Sequence, residues 1–173
     1  MATTYTLISS VTVGSGGASS IDFTSIPADY TDLVVKLSVR DNSAAVGNAY
    51  NLQFNSDTNG NNYAHILLYA INGSTVGTEK NTTNGYLNYI SSANATSSVF
   101  SNSEIYIPNY LSSNYKSASH EGVAENNGSD GRLGLNAYLW SSTSAITSIQ
   151  IKAYSPQTFV QYSTAYLYGI SNA

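Results

Sequence analysis

Apolar residues along this chain recur at every second position, and no stretch keeps helical spacing over three turns. Tyr5 and Leu7, then Val11 and Val13, predict an opening strand that ends at Gly14-Ser15-Gly16-Gly17. Ile21 and Phe23 alternate in a second strand before Pro27. Residues 32–40 read as a central strand, with Leu33, Val35, Leu37 and Val39 on one side and Lys36, Ser38 and Arg40 on the other. Tyr50, Leu52 and Phe54 alternate again, before a run of turn-formers from Asn55 to Asn62. Residues 64–71 form a short apolar run, expected to be buried on both faces and closed by the hairpin signal Asn72-Gly73. The polar stretch 77–103 is harder to read, with one strand expected at 86–90. Further strands are expected at Ile105 and Ile107, at 115–123, at Leu133 to Trp140, at Ile149 and Ile151, and at 165–170.

Some eight to ten short strands separated by Asn/Gly/Ser turns predict an all-β fold: a two-sheet antiparallel β-sandwich, with jelly-roll winding expected. Pattern alone leaves jelly-roll and immunoglobulin-like order open, although no Cys…Trp…Cys framework is present for the latter. A length of 173 residues fits one domain, 1–173. Val35, Leu37, Val39, Leu133, Leu135, Leu139, Ile149, Ile151 and Leu167 are the expected core, each on the apolar side of an alternating strand.

Composition changes the picture in two respects. Charged residues make up only 9% of the chain, and Ser, Thr and Asn together exceed a third of it, so solubility rests on neutral polar groups. Tyrosine is in excess, with 15 copies against 4 Phe and 1 Trp. Its ring packs while its hydroxyl stays wet, which suits half-buried strand faces and interfaces. The net charge of −4 and the scattered basic residues argue against a nucleic-acid partner. No apolar run is long enough for a membrane-spanning helix, and the opening residues carry no signal-peptide pattern. With no cysteine, disulfides and thiolate metal sites are excluded.

Candidate chemistry is sparse. His120 lies between Ser119 and Glu121, but strand neighbours point to opposite faces and cannot form a triad; His65 opens an apolar run. Glu121 and Glu125 on one continuing strand would stand roughly 13 Å apart, too far for glycoside hydrolysis. The run Asn55-Ser56-Asp57-Thr58-Asn59-Gly60 begins like a calcium loop, yet its twelfth position is Ile66 and not an acid, so a turn is the expected role. No catalytic, cofactor-binding or metal-ligating residues are therefore assigned, and no cofactor is expected. The four sequons at Asn72, Asn81, Asn94 and Asn127 mean little in so Asn-rich a chain. Two tyrosine clusters, 84–89 and 105–110, are the best candidates for contact with a partner. Tyr86, Tyr89, Tyr106 and Tyr110 are the expected interface residues, with glycan stacking as the alternative use of the same rings.

One resemblance adds to this. The runs Trp140-Ser141-Ser142-Thr143, Ala145-Ile146-Thr147-Ser148-Ile149-Gln150-Ile151, Phe159 and Ala165-Tyr166-Leu167-Tyr168-Gly169-Ile170 resemble small structural proteins of tailed bacteriophages, those of cyanobacterial and marine hosts above all. Tyr5-Thr6-Leu7-Ile8, Ile26-Pro27-Ala28-Asp29-Tyr30-Thr31-Asp32-Leu33, Leu52-Gln53-Phe54-Asn55-Ser56-Asp57 and Asn62-Tyr63 are compatible with it; 77–103 is unmatched. The resemblance implies a non-enzymatic jelly-roll protein of the virion, either a capsid decoration (cement) protein or a tail-fibre or spike module that binds a receptor or glycan. A first strand near the start of the chain leaves no room for a stalk, which favours decoration. The expectation is a homotrimer on the outer capsid surface whose partners are the major capsid protein and itself.

Overall fold

The computed structural model describes residues 4–128 and 130–171; the opening Met1-Ala2-Thr3, Ser129 of the 125–131 loop and the last two residues lie outside them. Twelve strands are described: β1 (Tyr5–Thr12), β2 (Ser20–Phe23), β3 (Asp32–Val39), β4 (Gly47–Phe54), β5 (Tyr63–Ile71), β6 (Thr75–Asn81), β7 (Tyr86–Ser91), β8 (Ser101–Ile107), β9 (Lys116–Ala124), β10 (Arg132–Trp140), β11 (Ile149–Ala153) and β12 (Thr164–Ile170). Twelve exceeds the expected eight to ten, and β6 alone among them has no counterpart in the segments named from the sequence. β6, the polar strand missed in the sequence, is an edge strand with little to bury.

The strands form two antiparallel sheets packed as a sandwich. The larger runs β1-β12-β3-β8-β9-β10-β5-β6, the smaller β2-β11-β4-β7, and this winding is consistent with a jelly roll. Burial alternates as the period-2 pattern requires, most regularly in β9, where every second residue from Lys116 to Ala124 is buried. Between the sheets lies one core in which Val35, Leu37, Val39, Ile149, Ile151 and Leu167 are all buried, as expected, together with Leu52, Phe54, Tyr50, Tyr138 and Trp140. In β1 a bulge between Leu7 and Ser9 reverses the phase. Leu7 faces outward while Ile8 and Val11 pack on the core, so Tyr5 and Leu7 do not share a face with Val11.

β10 corrects the sequence reading. Leu133 and Leu135, expected in the core, are exposed and Leu139 is half-buried; Gly134, Asn136, Tyr138 and Trp140 face inward instead. The segment is apolar on both sides, and a one-residue slip exchanges the two faces completely. Close approach decides between them. β7 passes directly over the paired Gly122 and Gly134, and a Cβ on Gly122 would stand 2.6 Å from the Asn88 carbonyl oxygen, so no leucine fits there. Farther along, Tyr138 and Trp140 bury large rings whose polar ends find partners, the Tyr138 hydroxyl on the Leu52 carbonyl and the Trp140 Nε1–H on Asp57 at 2.8 Å. Neighbouring β5 follows the same register. It is not buried on both faces: Tyr63, His65 and Leu67 point inward, while Ile66 and Leu68 are exposed.

Long polar connections are fastened by single side chains. Buried Arg40 donates to the carbonyls of Ala93, Ala95, Thr96 and Val99, which pins the link between β7 and β8 to the end of β3.

Candidate interaction surface

The smaller sheet covers the inner face of the larger one, and among the described residues no second sheet packs on the outer face, although Val34 there is fully buried. Pairing registers place its outward residues in rows. One row runs Leu7, Tyr168, Val34, Tyr106, Ser119, Ala137, Ile66, Lys80 from β1 to β6. The next runs Tyr166, Lys36, Glu104, Glu121, Leu135, Leu68, and a third ends Val123, Leu133, Ala70, Val76. Two non-polar zones result, with charges between them.

The aliphatic zone lies on β9, β10, β5 and β6. Its side chains are open to solvent to an extent unusual for aliphatic residues: Ile66 50%, Leu68 48%, Val76 72%, Val123 38%, Leu133 45% and Leu135 47%. Single exposed leucines need no explanation, but contiguous ones mark an interaction site. The aromatic zone lies at the opposite end, where Tyr5, Leu7 and Tyr166 are exposed and the rings of Tyr5 and Tyr168 meet edge-on at 6.2 Å. Between the zones Lys36 pairs with Glu104 at 2.6 Å, which raises the lysine pKa through that hydrogen bond and charge. Glu104 stands directly across from Glu121.

The four expected interface tyrosines separate. Tyr106 is half-buried on this outer face, its hydroxyl donating to Asp32 at 2.8 Å, and belongs to the aromatic zone. Tyr110 is wholly buried in the core, its hydroxyl donating to the Pro27 carbonyl, and this corrects the expectation that it lies free for a partner. Tyr86 and Tyr89 are half-buried on β7, where intramolecular neighbours already hold them: Tyr154 at 5.6 Å from Tyr86, and the Arg132 guanidinium over the Tyr89 ring at 5.5 Å. The exposed aliphatic residues were missed because alternation tells which residues share a face and not which face is covered.

The polar candidates resolve into structure. His120 points into the core, hydrogen-bonded at 2.9 Å to both the Tyr50 hydroxyl and Asn136, while Ser119 and Glu121 point out, so the three do not converge. Burial lowers the His120 pKa to about 4, against the opposing effect of Asn136, and the ring is neutral. His65 is buried with Nδ1 3.2 Å from the Asn84 carbonyl. Glu125 accepts from the backbone of Asn126 and Asn127 and caps its own turn. The loop after β4 is also a turn. Asp57 accepts from Asn59 N, from Asn62 Nδ2 and from the Trp140 indole, so its carboxylate is already engaged by N–H donors. Among the described residues no group of three or more His, Asp or Glu side chains is placed to hold a metal ion. In comparisons with known protein families, curated proteins and solved structures, no match to this chain is found.

Proposed function

We propose that this chain is a non-enzymatic virion structural protein that decorates the outside of a bacteriophage head, binds the major capsid protein and helps hold the shell together. The observation that supports this reading is the uncovered outer face of the eight-stranded sheet, which offers two separate non-polar zones in a chain whose charged content is only 9%. A protein that engages two neighbours at once needs two such zones, and a shell is stabilised by whatever binds the assembled lattice and not its loose subunits. The aromatic zone of Tyr5, Leu7, Tyr106, Tyr166 and Tyr168 is assigned to the capsid. Tyrosine rings supply large contact area at low entropic cost and keep a hydroxyl for hydrogen bonding at a partly wet junction.

The test is to incubate the purified chain with phage heads and measure co-sedimentation. Saturable binding to heads is expected, and Tyr5→Ala with Tyr166→Ala should weaken it by about tenfold or more, as expected for interface tyrosines. Binding to tails or to host glycans in place of heads would transfer the function to the receptor-binding alternative. Binding to none of these would overturn both.

A further inference from the structure

We infer that the aliphatic zone is the seat of a second copy of this chain, in a dimer and not the homotrimer that the resemblance implies, packed face to face across a twofold axis that runs along the strands between β5 and β10. The inference deepens the proposed function by naming the occupant of one of its two zones; the capsid assignment concerns the other end of the sheet.

Area is the first argument. At their observed exposures, Ile66, Leu68, Val76, Val123, Leu133 and Leu135 present roughly 500 Å² of apolar surface, near the top of what a typical monomer leaves open. With Ala70, Ala137, Leu139 and the polar rim, the face approaches the roughly 800 Å² per partner of a standard specific interface. Shape is the second. Two shallow hollows sit in the zone, about 120 Å³ beside Leu68, Val76 and Leu133 and about 220 Å³ beside Ile66, Lys80 and Leu139. They suit interdigitation by the aliphatic side chains of an opposing sheet, and two sheets stacked in this way stand about 10 Å apart.

Charge selects the partner and the axis. The zone is flanked by Lys80 on β6 and by Glu121 on β9, both exposed. Glu121 stands opposite Glu104, a like-charge pair that costs stability, and Lys36 is engaged by Glu104. Among the described residues neither Lys80 nor Glu121 takes part in a recorded ion pair. They lie three strands apart, about 14 Å, beyond reach of each other within one chain. A twofold along the strands exchanges β5 with β10 and β6 with β9. Leu68 and Ile66 then face Leu135 and Ala137 of the second copy, and each Lys80 comes opposite Ser119, two residues along β9 from Glu121. Such a face is complementary to itself, which an isologous dimer requires.

The experiment is sedimentation equilibrium of the full chain at micromolar concentrations, with circular dichroism as the check on folding. The expected mass is twice 18.4 kDa. Leu68→Lys with Leu135→Lys should give a folded monomer, since both side chains face solvent in the single chain. Lys80→Glu alone and Glu121→Lys alone should each weaken the dimer about tenfold or more, and the two together should restore it to within about threefold, because only then does each reversed charge meet its complement. A monomeric or trimeric wild type would overturn the inference, as would a dimer indifferent to the leucine changes. Loss with the leucines but no rescue by the double charge reversal would overturn the twofold arrangement.

Discussion

Acidification below about pH 6.5 should destabilise this protein because of one buried imidazole. His120 enters the core from β9, contacts the Tyr50 ring edge-on at 5.8 Å and is hydrogen-bonded on both nitrogens, to the Tyr50 hydroxyl and to Asn136. Burial lowers its pKa from 6.5 to about 4. The unfolded chain therefore binds a proton that the folded chain refuses between these values. The contribution of the neutral ring is complete above pH 6.5 and is lost as pH falls toward the folded value. The drop from 6.5 to about 4 corresponds to about 3 kcal/mol in full, of which about 2 kcal/mol is gone by about pH 5. Asp57 and Asp130 do not blur this window. Asp57 is held below its usual value despite burial, by Trp140 and Asn62, and Asp130 by Arg132, so both act at lower pH. Urea unfolding followed by Trp140 fluorescence at about pH 7.5 and about pH 5 measures the difference, with His120→Gln as the comparison. The variant should start less stable but lose little over the same range. A wild type that changes by less than about 0.5 kcal/mol, or a variant with the same slope, would refute the assignment of the effect to His120.

Two further outcomes separate core from surface and turn from metal site. Leu37→Ala should lower unfolding stability by about 2–5 kcal/mol, while Leu133→Ala should stay within about 0.5 kcal/mol in the monomer; equal losses in urea titrations would show β10 in the opposite register. Asp57→Ala should cost about 1–3 kcal/mol and shift Trp140 emission, because the indole N–H loses its acceptor, whereas chelator should leave the wild-type melting temperature unchanged; a calcium-restored melting temperature would contradict this.

Alternation was enough to determine the fold class. Leu33, Val35, Leu37 and Val39 alternating with Lys36 and Ser38 read as a strand with one face in the core, and a series of such strands broken by Asn/Gly/Ser turns makes a sandwich. The Asn55–Gly60 run was legible as a turn because its twelfth position lacks an acid. What sequence could not decide was which face of a two-sided strand would be covered. In β10 the leucines and the aromatic residues alternate, and either set could have turned inward. The choice fell to the paired Gly122 and Gly134, where β7, distant in sequence, comes too close for any side chain. That one contact sends Leu133 and Leu135 outward, carries Ile66 and Leu68 with them through the β5 register, and so creates the aliphatic zone. Tyr110 went the other way for a similar reason: its cluster has strand-surface composition, but the turn after β8 directs the ring into the core and its hydroxyl onto Pro27. Local periodicity records which residues share a side, whereas the packing of distant strands decides which side meets water.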